Sequence, residues 1–149
     1  MATTNAEDQR KAAELQARLA NAGDKATTSS NDFARVPNVS IDAGAHKYVL
    51  ISACLPGGNI RENFVVSRRG AEYHRDAAEP FIEILERNNY SSIRILGGGR
   101  IALDIANKTC SIYGYSYGFG LADHAMSKAV VERDDRYNDY DITWSNEGY

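Results

Sequence analysis

The stretch Lys47–Cys54 most limits the folds open to this chain. Its bulky apolar residues alternate in direction, with Tyr48 and Leu50 facing one way and Lys47, Val49 and Ile51 the other, which is the period of a β-strand. Leu55-Pro56-Gly57-Gly58 then turns the chain, and Asn63–Ser67 forms a second, shorter strand. A helix follows and ends near Arg87-Asn88-Asn89. Ser92–Leu96 reads as a third strand with Ile93 and Ile95 on one face. Gly97-Gly98-Gly99 breaks it, and Arg100–Ile105 alternates again with Ile101, Leu103 and Ile105 inward. Ala106-Asn107-Lys108 has the look of a hairpin turn into Thr109–Ser116. A second helix covers about Ala122–Arg133, with Ala122, Met126, Ala129 and Val130 as its apolar stripe, and Tyr140–Trp144 is a last strand. Strands adjacent in sequence and interrupted by two helices indicate an α+β fold, one domain built on a mixed sheet of about six strands.

The domain starts near Val36-Pro37, so it spans about residues 35–149. Residues 1–34 have a different composition, with almost no large apolar side chains. Leu15 and Leu19 sit one turn apart among Ala12, Ala13, Ala17 and Ala20, enough for a short helix that is marginal in isolation. Ala26–Asn31 reads as a linker, and the expectation for the whole segment is a flexible, partly helical tail. The net charge of −3 and sequence pI near 5.6 argue against a general nucleic-acid binder. No apolar run is long enough to span a bilayer, and the charged N-terminus lacks the apolar core of a secretory signal. Cys54 and Cys110 lie in apolar, strand-like runs and read as buried thiols of a reducing compartment. The expected protein is cytoplasmic and, for want of an obvious exposed apolar stripe, monomeric.

Chemistry concentrates at Ala71-Glu72-Tyr73-His74-Arg75-Asp76. Asp76 is a suitable N-cap, with Glu79 completing an Asp-x-x-Glu variant of the capping box. Pro80 fits near a helix start, and Ala78, Phe81, Ile82 and Leu85 form one stripe. His74 is thus placed at or just before a helix N-terminus, where free N–H groups and the macrodipole favour anions. Arg68, Arg69 and Arg75 add positive charge nearby. Both influences disfavour the imidazolium and leave a neutral ring able to act as base or nucleophile.

Two further stretches suit an anion. The glycines of Leu96-Gly97-Gly98-Gly99-Arg100-Ile101 allow close backbone approach, and Arg100 is well suited to phosphate oxygens. No dinucleotide fingerprint or Walker loop is present, so a plain strand-to-strand connection competes with that reading. Tyr113-Gly114-Tyr115-Ser116-Tyr117-Gly118-Phe119-Gly120 offers backbone and hydroxyl donors at Ser116, Tyr117 and Gly118, where a strand crosses into a helix. His124 opens that helix and suits a capping role as well as a substrate-facing one. His46, His74 and His124 share no ligand spacing, so neither a metal nor another cofactor is expected, and no Gly-x-Ser-x-Gly elbow occurs.

Taken together, Val36-Pro37-x-Val39-x-Ile41-Asp42, Lys47–Ile51, Ala71-Glu72-Tyr73-His74-x-Asp76, Leu96–Ile101, Tyr113–Ser116, His124-Ala125, Tyr140–Trp144, Asn146 and Gly148-Tyr149 resemble the Janus/Ocnus family. The likeness runs from about residue 36 to the end. It implies a single α+β domain that removes phosphate from histidine in proteins without a metal, acting on histidine-phosphorylated partners rather than nucleic acid or membrane. It implies that His74 is catalytic and that Lys47 and Ser116-Tyr117-Gly118 hold the phosphate with Arg100 in support; Tyr73 and Arg75, next to His74 in sequence, are also expected to bind substrate or phosphate. Members commonly carry an arginine a few residues before the motif histidine; ungapped alignment places Val66 there, with Arg68 and Arg69 close by. Gly118 stands where a different small residue is usual.

The expected reaction is phosphoramidate hydrolysis, with His74 taking a proton from the attacking water or accepting the phosphoryl group itself. The alternative is a non-catalytic, phosphoprotein-binding regulator of the Janus type. The Ala-rich segment 1–34 is expected to serve, if anything, as a partner-recruiting tail whose removal leaves turnover of a small substrate unchanged.

Overall fold

The computed structural model describes residues 3–22 and 35–147. The expected linker Ala26–Asn31 and the terminal Gly148-Tyr149 lie outside the described residues. Helix α1 (Thr3–Ala22) comes first, followed by strands β1 (Val39–Ser40), β2 (Gly44–Cys54) and β3 (Arg61–Ser67). Helix α2 (His74–Arg87), strands β4 (Ser91–Asp104) and β5 (Thr109–Tyr113), helix α3 (His124–Glu132), a 3₁₀ turn at Asp135–Tyr137 and strand β6 (Asp141–Trp144) complete the order. One mixed sheet has the strand order β1-β3-β2-β4-β5-β6. Its central pairs are antiparallel, and the outer pairs β1/β3 and β5/β6 are parallel. The architecture is α+β, with three helices where two were expected.

The alternation of β2 governs both layers. Val49, Ile51 and Ala53 pack with Phe81, Ile82 and Leu85 of α2. Tyr48 and Leu50 pack on the other side with Val130 and Val131 of α3. Each face of β2 is therefore dry, which is why the strand reads as a nearly continuous apolar run.

Several local expectations change. The three glycines do not divide two strands; β4 runs through them as one strand. Its pairing with β2 skips Leu96, a bulge that leaves Leu96 exposed and reverses the alternation. Ile93 and Ile95 therefore face α2 before the bulge, whereas Ile101 and Leu103 face α3 beyond it. Ile105, expected inward, is exposed in the turn after β4. Helix α2 starts earlier than expected. Tyr73 is its N-cap and Asp76 is the third helical residue, whose carboxylate accepts the Tyr73 N–H at 2.9 Å. Pro80 consequently lies inside the helix rather than in its first turn. In α3 the buried face carries His124, Ser127, Val130 and Val131, while Ala129 is exposed, because polar side chains occupy the side turned to the sheet.

The largest departure is α1, which is packed rather than loose. Asp8, Ala12, Leu15 and Leu19 recur at the spacing of one helical face, and all four are buried. Ala12, Leu15 and Leu19 join the core cluster of α2 and β4. Full burial of a leucine side chain contributes about 1.5–3 kcal/mol, so two of them hold a helix that is marginal alone. Arg18–Glu86 at 3.0 Å and Arg75–Glu14 at 2.8 Å tie α1 to α2 at the surface.

Beneath α3 a polar cluster replaces apolar packing. Nε2–H of His124 donates to the Gly114 carbonyl at 2.7 Å, which leaves Nδ1 to accept the Tyr48 hydroxyl at 2.6 Å. The Tyr48 oxygen accepts in turn from Ser127 at 3.0 Å. Burial holds the His124 ring below the ordinary histidine range, against the opposing effects of the Gly114 carbonyl and Asp123, and pushes the Tyr48 hydroxyl up. Tyr48→Phe would orphan His124 Nδ1 in a dry site. The expected loss is about 1–3 kcal/mol, read as a lower urea midpoint at unchanged slope.

Candidate active site

His74 is the first residue of α2 and is fully buried. Its ring lies on the sheet at Gly98, where an added Cβ would sit 3.0 Å from His74 Cδ2. Nε2–H donates to the Gly99 carbonyl at 2.9 Å. The same strand receives His124 from the opposite face, where a Cβ at Gly99 would sit 2.8 Å from His124 Cε1. Two imidazoles thus press on two successive glycines from opposite sides. A Cβ would also meet the Tyr48 carbonyl oxygen at 2.8 Å from Gly98 and the Tyr113 carbonyl oxygen at 2.4 Å from Gly99, so rings and neighbouring main chain together leave no room for side chains there. Gly97 similarly gives room to the backbone of Ala122, which a Cβ would meet at 2.7 Å.

Anchoring Nε2 leaves Nδ1 as the free ring nitrogen, and it has no hydrogen-bond partner among the described residues. It faces Asp8 of α1, with Nδ1 3.5 Å from Oδ1. The Asp8 carboxylate lies in a cradle of donors. Oδ1 accepts the His74 backbone N–H at 3.1 Å. Oδ2 accepts the Gly118 N–H at 3.0 Å and the Ser116 hydroxyl at 3.2 Å. The Ser116 oxygen is fixed by the Phe119 N–H at 3.0 Å, and Ser116 and Gly120 exchange backbone bonds of 3.1 and 2.8 Å that shape the loop. An N–H at a helix start, a loop N–H and a hydroxyl converging on one carboxylate make an anion site.

The electrostatics agree. Burial raises the Asp8 carboxyl, but the His74 ring in its charged form and the N–H groups of His74 and Gly118 outweigh it and hold it at about 2. Its stabilising share is complete above the ordinary carboxylate value of 3.8 and is lost as the pH falls towards about 2. Lys47 and Arg100 are register partners on β2 and β4, and they share the face that carries His74. Burial and the neighbouring Arg100 charge lower the Lys47 ammonium, while Asp8, Glu72 and Asp76 act the other way. Two adjacent cations on a half-buried surface favour an anion between them.

The structure therefore assembles His74, Ser116 and Gly118 around one anion, with Lys47 and Arg100 on the same face. The remaining expected residues lie outside the cradle. Arg75 is engaged by Glu14 at 2.8 Å and Glu79 at 3.0 Å, on the outer side of the helices. Tyr73 caps α2 and carries Lys11 over its ring, 5.2 Å from the centroid. The Tyr117 ring is exposed and stacks edge-on with Tyr115, whose hydroxyl donates to that of Tyr117 at 3.0 Å. Val66 is buried in the core, and the backbone N–H of Arg69 is bonded to Asp42 at 2.7 Å. The local charge facing the histidine ring is the Asp8 carboxylate, where arginines were expected. His124 belongs to the core of the opposite face. Asp8 was missed by sequence reasoning, although its spacing of four, seven and eleven residues to Ala12, Leu15 and Leu19 was visible.

Comparison with known proteins identifies a family. The Janus/Ocnus family matches residues 33–141. The chain is 37% identical over 124 residues to the 14 kDa phosphohistidine phosphatase of Homo sapiens, covering 79% of this chain and 97% of that protein. It is 36% identical to the Sus scrofa protein of the same name, covering 79% and 96%. The sex-regulated protein janus-A of Drosophila melanogaster is 35% identical over 122 residues, covering 81% and 87%.

Nitrogen-15 spectra of ring-labelled protein should show the Nε2–H tautomer for His74 and His124 whenever the rings are neutral. A neutral His74 protonated at Nδ1 would contradict the anchoring by Gly99.

Proposed function

This chain belongs to the Janus/Ocnus family, and from that premise we propose that it hydrolyses phosphohistidine in proteins, with His74 as the catalytic base. The observation that carries the reading is the disposition of one ring: Nε2 is tied to the Gly99 carbonyl while Nδ1 faces an anion cradle. The names of the human and porcine relatives add the substrate class.

In the proposed reaction a phosphoryl group takes the position held by the Asp8 carboxylate. The N–H groups of His74 and Gly118 and the Ser116 hydroxyl bind its oxygens, and Lys47 and Arg100 balance the charge that spreads over them. Nδ1 of neutral His74 takes a proton from water as that water attacks phosphorus. A P–O bond forms and the P–N bond to the substrate imidazole breaks. The departing imidazole nitrogen takes up a proton, leaving inorganic phosphate and histidine. The variant in which His74 is itself phosphorylated uses the same atom, since Nδ1 is the open ring nitrogen. None of these steps calls on a metal. Tyr73 and Arg75 flank the cradle at the start of α2, where they suit contacts to the protein around the phosphohistidine.

A general base contributes about 10²–10⁴-fold in rate. His74→Ala should therefore lose at least about 100-fold in phosphate release from a histidine-phosphorylated protein, assayed in excess chelator, while its urea unfolding stays cooperative. Retained turnover in a folded variant would overturn the assignment. Phosphate binding without turnover by the unmodified chain would favour the non-catalytic phosphoprotein-binding regulator instead.

A further inference from the structure

The cradle is occupied by the protein's own side chain. The Asp8 carboxylate takes hydrogen bonds from the His74 N–H, the Gly118 N–H and the Ser116 hydroxyl, and it lies against His74 Nδ1. These are the donors assigned above to the phosphoryl oxygens. With α1 in place, His74 is 0% and Ser116 1% exposed. A phosphohistidine on another protein cannot reach a ring that is covered in this way.

We propose that α1 is a built-in pseudosubstrate: the Asp8 carboxylate stands in for a phosphoryl group, and the helix holds the site closed until it is displaced. The proposal rests on the reading of the cradle as the phosphate site. Three further observations support it. The family match begins at residue 33, so α1 lies outside the matched region. The helix is held by reversible contacts, the apolar face of Ala12, Leu15 and Leu19 and the surface pairs Arg18–Glu86 and Arg75–Glu14.

The third observation is Gly118. A Cβ there would lie 2.4 Å from the Ala12 Cβ and 2.6 Å from the Asp8 carbonyl oxygen. Gly118 does not have the positive φ that would require glycine. The side chain is absent at the place where α1 crosses the loop, and the nearest atoms it spares all belong to α1. Glycine at this position is explained by the docked helix and not by the cradle, because alanine would present the same N–H.

The prediction separates a plug from a partner. Were Asp8 instead a positioning residue that orients the His74 ring, its removal would slow the reaction. In a plug, its removal frees the site. The full chain, Asp8→Ala and Gly118→Ala should be compared in two measurements: the Kd of inorganic phosphate by amide shift titration, and kcat/KM on a histidine-phosphorylated protein. A closed state that dominates the open one lowers apparent affinity by the open fraction. Both variants are therefore expected to bind phosphate about tenfold or more tightly and to gain a similar factor in kcat/KM. Unchanged phosphate affinity in both, or a fall in kcat/KM in Asp8→Ala, would overturn the plug. Tighter phosphate binding in both variants with no turnover by any protein would keep the plug and reject the phosphatase. Turnover by the unmodified chain with no gain in either variant would do the reverse.

Discussion

The close approach of two imidazole rings to the middle of β4 sets the positions of most other parts. Each ring donates Nε2–H to a main-chain carbonyl, His74 to Gly99 and His124 to Gly114. Each rests on a glycine whose Cβ would collide with it. Side chains at 98 and 99 would crowd both rings and the Tyr48 and Tyr113 carbonyls. The glycines therefore sacrifice strand propensity, on the order of a kcal/mol relative to alanine, so that α2 and α3 can seat their first residues on it. The two sites then diverge through the second ring nitrogen. In His124, Nδ1 accepts from Tyr48 and the ring is satisfied. In His74, Nδ1 has no hydrogen-bond partner among the described residues and stands beside an anion site. Similar rings in similar poses thus differ in what the second nitrogen meets, a hydroxyl on one face and a carboxylate on the other.

The anion site follows from that seating. Once His74 begins α2, its own N–H is one of the unpaired donors at the helix start. The loop 114–120 is then drawn across the sheet by the Ser116–Gly120 and Gly98–Leu121 bridges, which bring Ser116 and Gly118 to the same point. Buried donors without an acceptor cost free energy, so the cradle is stable only when filled. Asp8 fills it here, and, against burial, the His74 ring together with the N–H groups of His74 and Gly118 lowers its carboxyl.

Legibility in the sequence divided along physical lines. The alternation in β2 and the 3.6-residue stripe of α2 were readable because both faces of the one and one face of the other meet the core. The glycines were misread as a break because a bulge at Leu96 reverses the alternation, and one change of phase looks like two strands. The start of α2 was misplaced because the reciprocal bond from Tyr73 to Asp76 uses a capping carboxylate at the third position rather than the first. His74, Ser116, Gly118, Lys47 and Arg100 came from local chemistry and family likeness. Asp8 came from neither. Its significance depends on a contact spanning 66 residues to His74 and 110 to Gly118, which no local pattern encodes.

The same distance explains why α1 looked like a tail. Its sequence holds two leucines and many alanines, too little apolar surface to fold alone. The packing of Leu15 and Leu19 and the hydrogen bonds of Asp8 in the cradle together hold it in place. That dependence has a consequence for occupancy. On the plug proposal a phosphoryl group competes with Asp8 for the cradle, since a dianion offers more charge and one more oxygen than a carboxylate to the same donors and to Lys47 and Arg100. The surface pairs to Glu86 and Glu14 are individually weak in water and do little to resist the exchange. Leu15 and Leu19 do resist it, because their release exposes apolar surface. On the plug proposal, the balance between the apolar face of α1 and the anion preference of the cradle sets how far the site is closed.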